Sequence, residues 1–225
     1  MSQEEKQSTK FRINQKFNFP GVLDFVDGTH VRIKCPQANP EFYYNRKGYH
    51  SINAMIICDD ELLIRFIDAR HPGSNHDSFI WRGSQVNQFF NSLYSGGKRN
   101  FWLLGDSGYP LLPYLMTPLR NCTTAQEEMY QKNHIKARNC VERCIGVLKS
   151  RFRCILGERG LHYEPEKVTK IINVCCALHN ACVKYSSEID LPEAPIIDDI
   201  ADDVVHETSN VANDIRRRII INFNT

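Results

Sequence analysis

The chain has 225 residues, a formal net charge of +2 and 42% hydrophobic residues, so it can bury a substantial core in one good-sized domain. Nine cysteines, an odd number, and no hydrophobic leader after Met1 favour a reduced intracellular protein. No apolar stretch approaches the length that crosses a bilayer, so we expect a soluble protein without a membrane partner.

The charge is distributed unevenly along the chain. Residues 1–185 contain 25 Lys and Arg against 17 Asp and Glu, whereas residues 186–207 contain eight acids and no Lys or Arg. A basic body suits a polyanionic partner such as nucleic acid. We therefore expect a disordered N-terminal segment over residues 1–17, a domain over 18–185, and an acidic linker with a C-terminal helix over 186–225.

The first half of the chain predicts strands and one helix. Alternating β-branched and aromatic residues predict three strands, at 22–33, 49–58 and 62–69. Asp77 or Ser78 could cap a helix that runs to about residue 90. A short apolar run at 101–105 then predicts a fourth strand that is buried on both faces.

The second half of the chain predicts mainly helices. A fifth strand at 115–119 precedes a long basic helix that ends by residue 157, and further helices are predicted at 165–185 and 204–220. Three strands, a helix, another strand and then helices indicate an α/β fold with helices packed on a mixed sheet.

The long basic helix carries one conspicuous acid. Apolar residues recur at helical spacing, which predicts a buried stripe formed by Val141, Ile145, Leu148, Phe152 and Ile155. Glu142 is the only acid among seven bases between residues 132 and 153, and it lies beside this stripe. An ordinary ion-paired glutamate is the alternative to a functional one.

Two other acids occupy positions where strands would present them to a ligand. Asp27 falls within the first predicted strand, and Asp106 directly follows the fourth, where ligand sites of open α/β sheets collect. A hairpin at Asp27-Gly28 and a simple turn at Asp106 are the alternatives. Three carboxylates from separate elements could hold Mg²⁺ ions for phosphodiester hydrolysis.

Several motifs resemble one known family in their order along the chain. They are VDGTH, HPGSNHDS, GDSGYP, RNCVERCIGVLKSRF and CCALHN. Over residues 18–185 the chain resembles the DDE domain of PIF/Harbinger transposases and of the nucleases domesticated from them. The resemblance implies a ribonuclease H-like fold, a mixed five-stranded sheet flanked by helices.

The resemblance also implies catalytic and DNA-binding residues. Asp27, Asp106 and Glu142 would form the catalytic triad and hold Mg²⁺ or Mn²⁺, with two ions expected. The 35 residues between Asp106 and Glu142 match the spacing after which many DDE enzymes are named. Bases of the long helix and of an earlier loop would bind DNA: Arg138, Lys149, Arg143, Arg46 and Lys47.

One signature of related bacterial enzymes matches only in part. Arg138, Glu142 and Lys149 fit its Arg-(3)-Glu-(6)-Lys portion, but Ile135 stands where the signature begins with Tyr. Whatever the tyrosine hydroxyl does in those enzymes is therefore not expected of this chain.

The implied function is hydrolysis of DNA by a transposase-derived endonuclease with a two-metal DDE mechanism. About twenty residues precede the first strand and cannot hold the family's helix-turn-helix region, so autonomous transposition by this polypeptide is not expected. The main alternative is a catalytically silent adaptor that binds DNA or a Myb-like partner protein, and a weaker one is cleavage of RNA–DNA hybrids. We expect the nucleus as the location, with the cytoplasm as a second compartment.

Other groups have more ordinary interpretations. Cys175, Cys176 and His179 do not match structural zinc spacings, so a buried helix with a hydrogen-bonded His179 is favoured. His30 is predicted to be structural. His76 and Asp77 could approach the active site from the exit of the third strand, but capping accounts for them adequately. The aromatic and basic residues at 42–47 could either contact DNA or pack over the sheet.

Overall fold

The structure is a computed structural model that describes residues 2–157, 160–185 and 209–223. The helices are α1 (Gln3–Phe17), α2 (Pro40–Tyr43), α3 (Asp77–Gly83), α4 (Gln85–Ser95), α5 (Ala125–Arg151), α6 (Pro165–Tyr185) and α7 (Asn210–Ile221). The strands are β1 (Val22–Arg32), β2 (Ser51–Cys58), β3 (Ile64–Pro72), β4 (Trp102–Leu104) and β5 (Leu115–Met116).

The five strands form one mixed sheet in the order β3-β2-β1-β4-β5. β1, β2 and β3 are antiparallel neighbours, whereas β4 runs parallel to β1 and β5 runs parallel to β4. The predicted ribonuclease H-like fold, a mixed five-stranded sheet flanked by helices, is confirmed.

Helices cover both faces of this sheet. Phe25 and Ile56 belong to the larger core, under α1, α5, α6 and α7, whereas Val26 and Ile57 belong to a second core under α3 and α4. This alternation follows from the two-residue period of a strand. All eight residues of β2 are buried, because the strand has a neighbour on each side and helices on both faces.

β1 continues without a turn through Asp27 and Gly28. Its pairing with β2 runs from Phe25 opposite Cys58 to Arg32 opposite Ser51, so the hairpin alternative at Asp27-Gly28 is wrong. The apolar pattern beyond Gly28 outweighs the local turn signal, because Val31 is needed in the core.

One predicted helix is divided in the structure, and another is present as predicted. The helix expected over 77–90 is two helices, α3 and α4, because Ser84 has an extended backbone and its hydroxyl caps α4 by accepting from the Asn87 N–H. The basic helix α5 is 27 residues long and begins with a capping box formed by Thr124 and Glu127.

The expectation of disorder over residues 1–17 is wrong. Helix α1 begins with a capping box formed by Ser2 and Glu5, and Ile13 is fully buried in the larger core. Arg12 binds the buried carboxylate of Asp60 at 2.7 Å, which ties α1 to the β2–β3 turn. The sequence of α1 does not indicate this ion pair, because Asp60 lies 48 residues after Arg12 in the chain.

The C-terminal helix also packs into the larger core. Ala212 and Ile219 of α7 are buried there, so the core includes residues outside the predicted 18–185 domain. Residues 186–208, which include the predicted acidic linker and the start of the helix expected from 204, lie outside the described residues.

Helix α6 fastens the edge strand β3 through its own side chains. The Asn180 amide pairs with both backbone groups of Ile64 at 2.8 Å, as a neighbouring strand would. His179 donates to the Leu62 carbonyl at 2.9 Å, so its predicted role as a hydrogen-bonded core residue is confirmed.

All nine cysteines are free thiols. None of the described helices is long and apolar enough to cross a membrane.

Candidate active site

Three aspartates from different parts of the chain meet beside the middle of β1. Oxygen atoms of Asp27, Asp77 and Asp106 all lie within 4.8 Å of one another. We refer to these three residues as the acid cluster. β1 and β4 run parallel with Phe25 level with Leu104, so Asp27 and Asp106 come next to each other two residues further on. The predicted convergence of these two acids is thus present.

Asp77 is the member of the acid cluster that the sequence analysis assigned to helix capping. His76, not Asp77, is the N-cap of α3, and no side-chain hydrogen bond caps that helix. Instead, Asp77 Oδ1 accepts a hydrogen bond of 2.9 Å from Asn53 Nδ2. Asn53 also donates to the Asn75 carbonyl at 3.0 Å, which fixes the chain just before Asp77.

Gly28 makes room for Asp77, and Gly73 makes room for the chain segment that precedes it. A β-carbon on Gly28 would lie 2.3 Å from Asp77 Oδ1, and one on Gly73 would lie 2.2 Å from Ser51 Oγ. Both glycines therefore allow the loop before α3 to pack closely against the sheet. The two family motifs that contain Gly28 and Gly73 were the available signal for this approach.

Glu142 lies outside the acid cluster and is connected to it through Arg138. One guanidinium nitrogen of Arg138 forms an ion pair with Glu142, and the other lies 3.3 Å from Asp27 Oδ2. The side chains of Arg138 and Glu142 are only 10% and 15% exposed. The structure therefore brings Asp27 and Asp106 together directly, whereas an arginine stands between Asp27 and Glu142.

Burial and mutual repulsion shape the electrostatics of the acid cluster. Burial, and then the neighbouring Asp106 carboxylate, raise the pKa of Asp27 well above its usual range, while Arg138 opposes the shift. The Tyr109 hydroxyl is buried without a hydrogen-bond partner among the described residues. Burial and the three acids also raise the Tyr109 pKa. Such a site favours an added proton or cation.

The donor set of the acid cluster fits a hard divalent cation. Mg²⁺ and Mn²⁺ prefer oxygen ligands, and all three side chains offer carboxylate oxygens. Backbone N–H groups orient two of them, since Gly28 donates to Asp27 at 2.8 Å and Gly108 donates to Asp106 at 3.0 Å. The residues present therefore suit the metal that the family resemblance implies.

The bases predicted to bind DNA have different surroundings. Arg46 and Lys47 are exposed. Arg138 is 8% exposed and its guanidinium forms ion pairs with two acids, so its contact with a DNA phosphate stays a prediction. Burial lowers the pKa of Lys149 to about 8, and its ammonium donates to the His30 carbonyl at 3.0 Å. Arg143 is half-buried.

His30 belongs to the sheet rather than to the acid cluster. Its Nδ1 lies 2.9 Å from Ser51 Oγ, which is the structural role predicted for it. Burial, followed by the charges of Lys47 and Lys149, lowers its pKa to about 4. The imidazole is therefore neutral at physiological pH.

A ribonuclease H-like sheet with acids on its central strand and just after the adjacent parallel strand defines a DDE-type nuclease domain. The family model described as "DDE superfamily endonuclease" matches residues 26–180, and the chain belongs to this family. The resemblance to domesticated Harbinger nucleases that the motifs indicated is confirmed by the relatives of the chain.

Curated relatives occur in animals and plants. The chain is 36% identical over 184 residues to the protein named "Putative nuclease HARBI1" from Mus musculus, covering 81% of this chain and 52% of that protein. It is 38% identical over 171 residues to the Homo sapiens protein of the same name, covering 76% and 48%. It is 27% identical over 200 residues to "Protein ALP1-like" from Arabidopsis thaliana, covering 80% and 47%.

The chain thus spans about half the length of the curated relatives it matches. No solved structure matches it significantly.

Proposed function

We propose that this chain is a transposase-derived endonuclease domain that hydrolyses DNA phosphodiester bonds with the help of divalent metal ions. The observation that carries the proposal is the meeting of Asp27, Asp77 and Asp106 in one partly buried cluster. The clustered carboxylates of Asp106 and Asp77 repel that of Asp27, and a bound divalent cation would offset this repulsion.

The acid cluster would hold Mg²⁺ or Mn²⁺, and two such ions, when bound, activate the attacking oxygen and stabilise the leaving oxygen of a phosphodiester. The protein's contribution is to hold its carboxylates in place. Asn53 positions Asp77, and the N–H groups of Gly28 and Gly108 position the other two acids. Preorganised ligands of this kind favour binding because little further ordering is needed.

The Arg138 guanidinium would take part by changing partners. In the structure it neutralises Asp27 and holds Glu142 at the side of the acid cluster. We propose that a DNA phosphate takes the place of the carboxylates on Arg138, since guanidinium groups bind both anions with the same geometry. Glu142 would then be released to join the acid cluster as the third residue of the DDE triad.

A plasmid-nicking assay with Mg²⁺ or Mn²⁺ tests the proposal. The wild-type chain should nick supercoiled DNA, and EDTA, Asp106→Asn and Asp77→Asn should each abolish nicking. Asp214→Asn on the surface of α7 is a matched control and should nick like the wild type, because that carboxylate is 62% exposed and outside the acid cluster. Equal nicking by wild type and Asp106→Asn, or none by either, would remove the enzyme proposal.

The second candidate function is an adaptor that binds DNA or a Myb-like partner protein without cleaving. The ion pair between Arg138 and Glu142 favours it, because that pair keeps one predicted catalytic acid out of the acid cluster. An adaptor would bind its partner in EDTA and keep that affinity in Asp106→Asn.

The preferred nucleic acid substrate is identified by cleavage assays on duplex DNA, an RNA–DNA hybrid and RNA under the conditions of the plasmid-nicking assay. Nuclear location is proposed together with the DNA substrate.

A further inference from the structure

A short segment between β1 and β2 presents two aromatic rings to solvent. This segment, residues 39–50, contains α2 and is called the aromatic loop below. Phe42 is 55% exposed and Tyr44 is 53% exposed, whereas Tyr43 between them packs against the larger core. The loop therefore does not simply pack over the sheet, which was one of the two sequence-based interpretations.

The exposure of these rings is not the result of a loosely held backbone. Asn45 Oδ1 accepts hydrogen bonds from the N–H groups of Lys47 at 2.9 Å and Tyr49 at 3.3 Å, and Asn45 Nδ2 donates to Ser51 Oγ at 2.7 Å. The Tyr44 ring packs edge-on against His50 with centroids 5.2 Å apart. Asn45 itself is 4% exposed, so the loop is organised around a buried amide.

The aromatic loop is joined to the chain segment that carries Asp77. The Ser74 N–H donates to the Phe42 carbonyl at 3.0 Å, three residues before Asp77. A β-carbon on Gly73 would lie 2.7 Å from the Tyr43 carbonyl oxygen, so the two segments are in close contact. The position of Phe42 is therefore coupled to that of the acid cluster through a few backbone contacts.

Exposed cations accompany the exposed rings. Arg46 and Lys47 follow Tyr44 in the same loop, and both side chains are exposed. Aromatic faces combined with Lys and Arg bind nucleic acid strands whose bases are unstacked, through stacking and phosphate contacts. Regular duplex DNA offers its base edges but not its base faces.

We infer that the aromatic loop binds an unpaired DNA base next to the scissile phosphate. Phe42 provides the stacking surface, and Arg46 and Lys47 bind the flanking phosphates. The substrate class is then DNA that contains an unpaired nucleotide or a short single-stranded stretch near the cleavage position. The inference rests on the proposed function for the position of the scissile phosphate only, since base binding itself requires no cleavage.

Binding measurements in an Asp106→Asn background test the inference separately from catalysis. The full 225-residue chain is titrated in EDTA with two fluorescent DNAs of one sequence, an intact duplex and a duplex with a three-nucleotide gap containing 2-aminopurine. We expect tighter binding to the gapped DNA, together with a change in 2-aminopurine fluorescence on binding. Phe42→Ala should reduce affinity for the gapped DNA by roughly 10-fold, the size of one stacked base, and leave duplex affinity unchanged.

Two controls separate stacking from other effects. Phe89→Ala removes a ring on α4 that is 53% exposed, close to the 55% of Phe42. This variant should change the affinity for neither DNA. The double variant Arg46→Ala with Lys47→Ala should weaken binding to both DNAs and lower the salt dependence of binding. Equal affinity of the parent protein for gapped and intact DNA, or an equal loss for both with Phe42→Ala, would overturn the inference.

The outcomes also distinguish this inference from the proposed function. A Phe42-dependent preference for gapped DNA in a chain that never nicks plasmid would support base binding by the aromatic loop and contradict the proposed nuclease activity. Metal-dependent nicking without any such preference would contradict base binding by the aromatic loop and support the proposed nuclease activity.

Discussion

Gly28 and Asp77 are in such close contact that a β-carbon at position 28 would lie 2.3 Å from Asp77 Oδ1 and 2.8 Å from its Cγ. Gly28 directly follows Asp27 in β1, whereas Asp77 is the first residue of α3. The absence of a side chain at position 28 is therefore what lets the third carboxylate of the acid cluster approach the first.

Gly28→Ala should consequently weaken metal binding. The new methyl group displaces Asp77 while leaving all three residues of the acid cluster in the chain, and loss of ligand positioning typically costs roughly 10- to 100-fold in affinity. Terbium luminescence or calorimetry with Mn²⁺ measures this directly. Gly146→Ala on α5, where a β-carbon would meet nothing within 4 Å, is the matched control and should bind metal like the wild type. Unchanged Mn²⁺ affinity in Gly28→Ala would show that Asp77 is not a ligand.

Arg138→Gln should make the stability of the protein depend on divalent metal. Arg138 is the cation between two buried acids, and removing one partner of a buried ion pair costs roughly 3 kcal/mol. Thermal unfolding in EDTA should show this loss, and added Mn²⁺ should restore more stability to the variant than to the wild type. In Glu142→Gln, where the contact of Arg138 with Asp27 remains, we expect a smaller loss in EDTA. Equal Mn²⁺ stabilisation of wild type and Arg138→Gln would argue against competition between arginine and metal.

Asn180→Ala should destabilise the fold without affecting the site directly. Its amide makes two hydrogen bonds to the Ile64 backbone on the edge of the sheet, and their loss should cost about 2 kcal/mol in the free energy of unfolding. Urea unfolding measures the change. Asn173→Ala, an exposed position on the same helix, should leave the midpoint nearly unchanged. Equal urea midpoints for Asn180→Ala and Asn173→Ala would show that the Asn180 amide does not stabilise the edge strand β3.

The extent to which sequence predicted this site depends on the range of the contacts involved. The family resemblance placed Asp27 and Asp106 in one site, and the structure supplies the physical reason, because β1 and β4 are parallel and bring the same ends together. Asp77 was assigned to capping instead, since its position at the start of α3 has a sufficient local interpretation as a cap. Its actual role depends on contact with Gly28, 49 positions earlier.

The same distinction applies to the helices. The buried stripe of α5 was predicted correctly at Val141 and Leu148, because a 3.6-residue period is a local property. Helix α1 was missed because its core contact and its Arg12–Asp60 ion pair join distant parts of the chain. The Arg138–Glu142 pair has the i, i+4 spacing that predicts an ion pair, but the sharing of Arg138 with Asp27 emerges only in the folded protein.

Asp24 provides a test of the electrostatics away from the acid cluster. Burial, followed by the charge of Asp59, raises the pKa of Asp24 to about 8, and its Oδ1 has no hydrogen-bond partner among the described residues. Between the ordinary pKa of an aspartate near 4 and this value, the folded protein keeps a proton that the unfolded chain has released. The free energy of unfolding attributable to Asp24 therefore falls as pH rises from about 4 to about 8.

Asp24→Asn should remove this part of the pH dependence, because an amide is a neutral mimic of the protonated acid. Relative to wild type, the variant should gain at least about 1 kcal/mol of stability between pH 5 and pH 8. Urea unfolding at both pH values gives the comparison, with Asp214→Asn as the control because that carboxylate is 62% exposed. Parallel stability curves for wild type and Asp24→Asn would mean that Asp24 is ionised in the folded protein, and that a cation such as Arg65 compensates its burial.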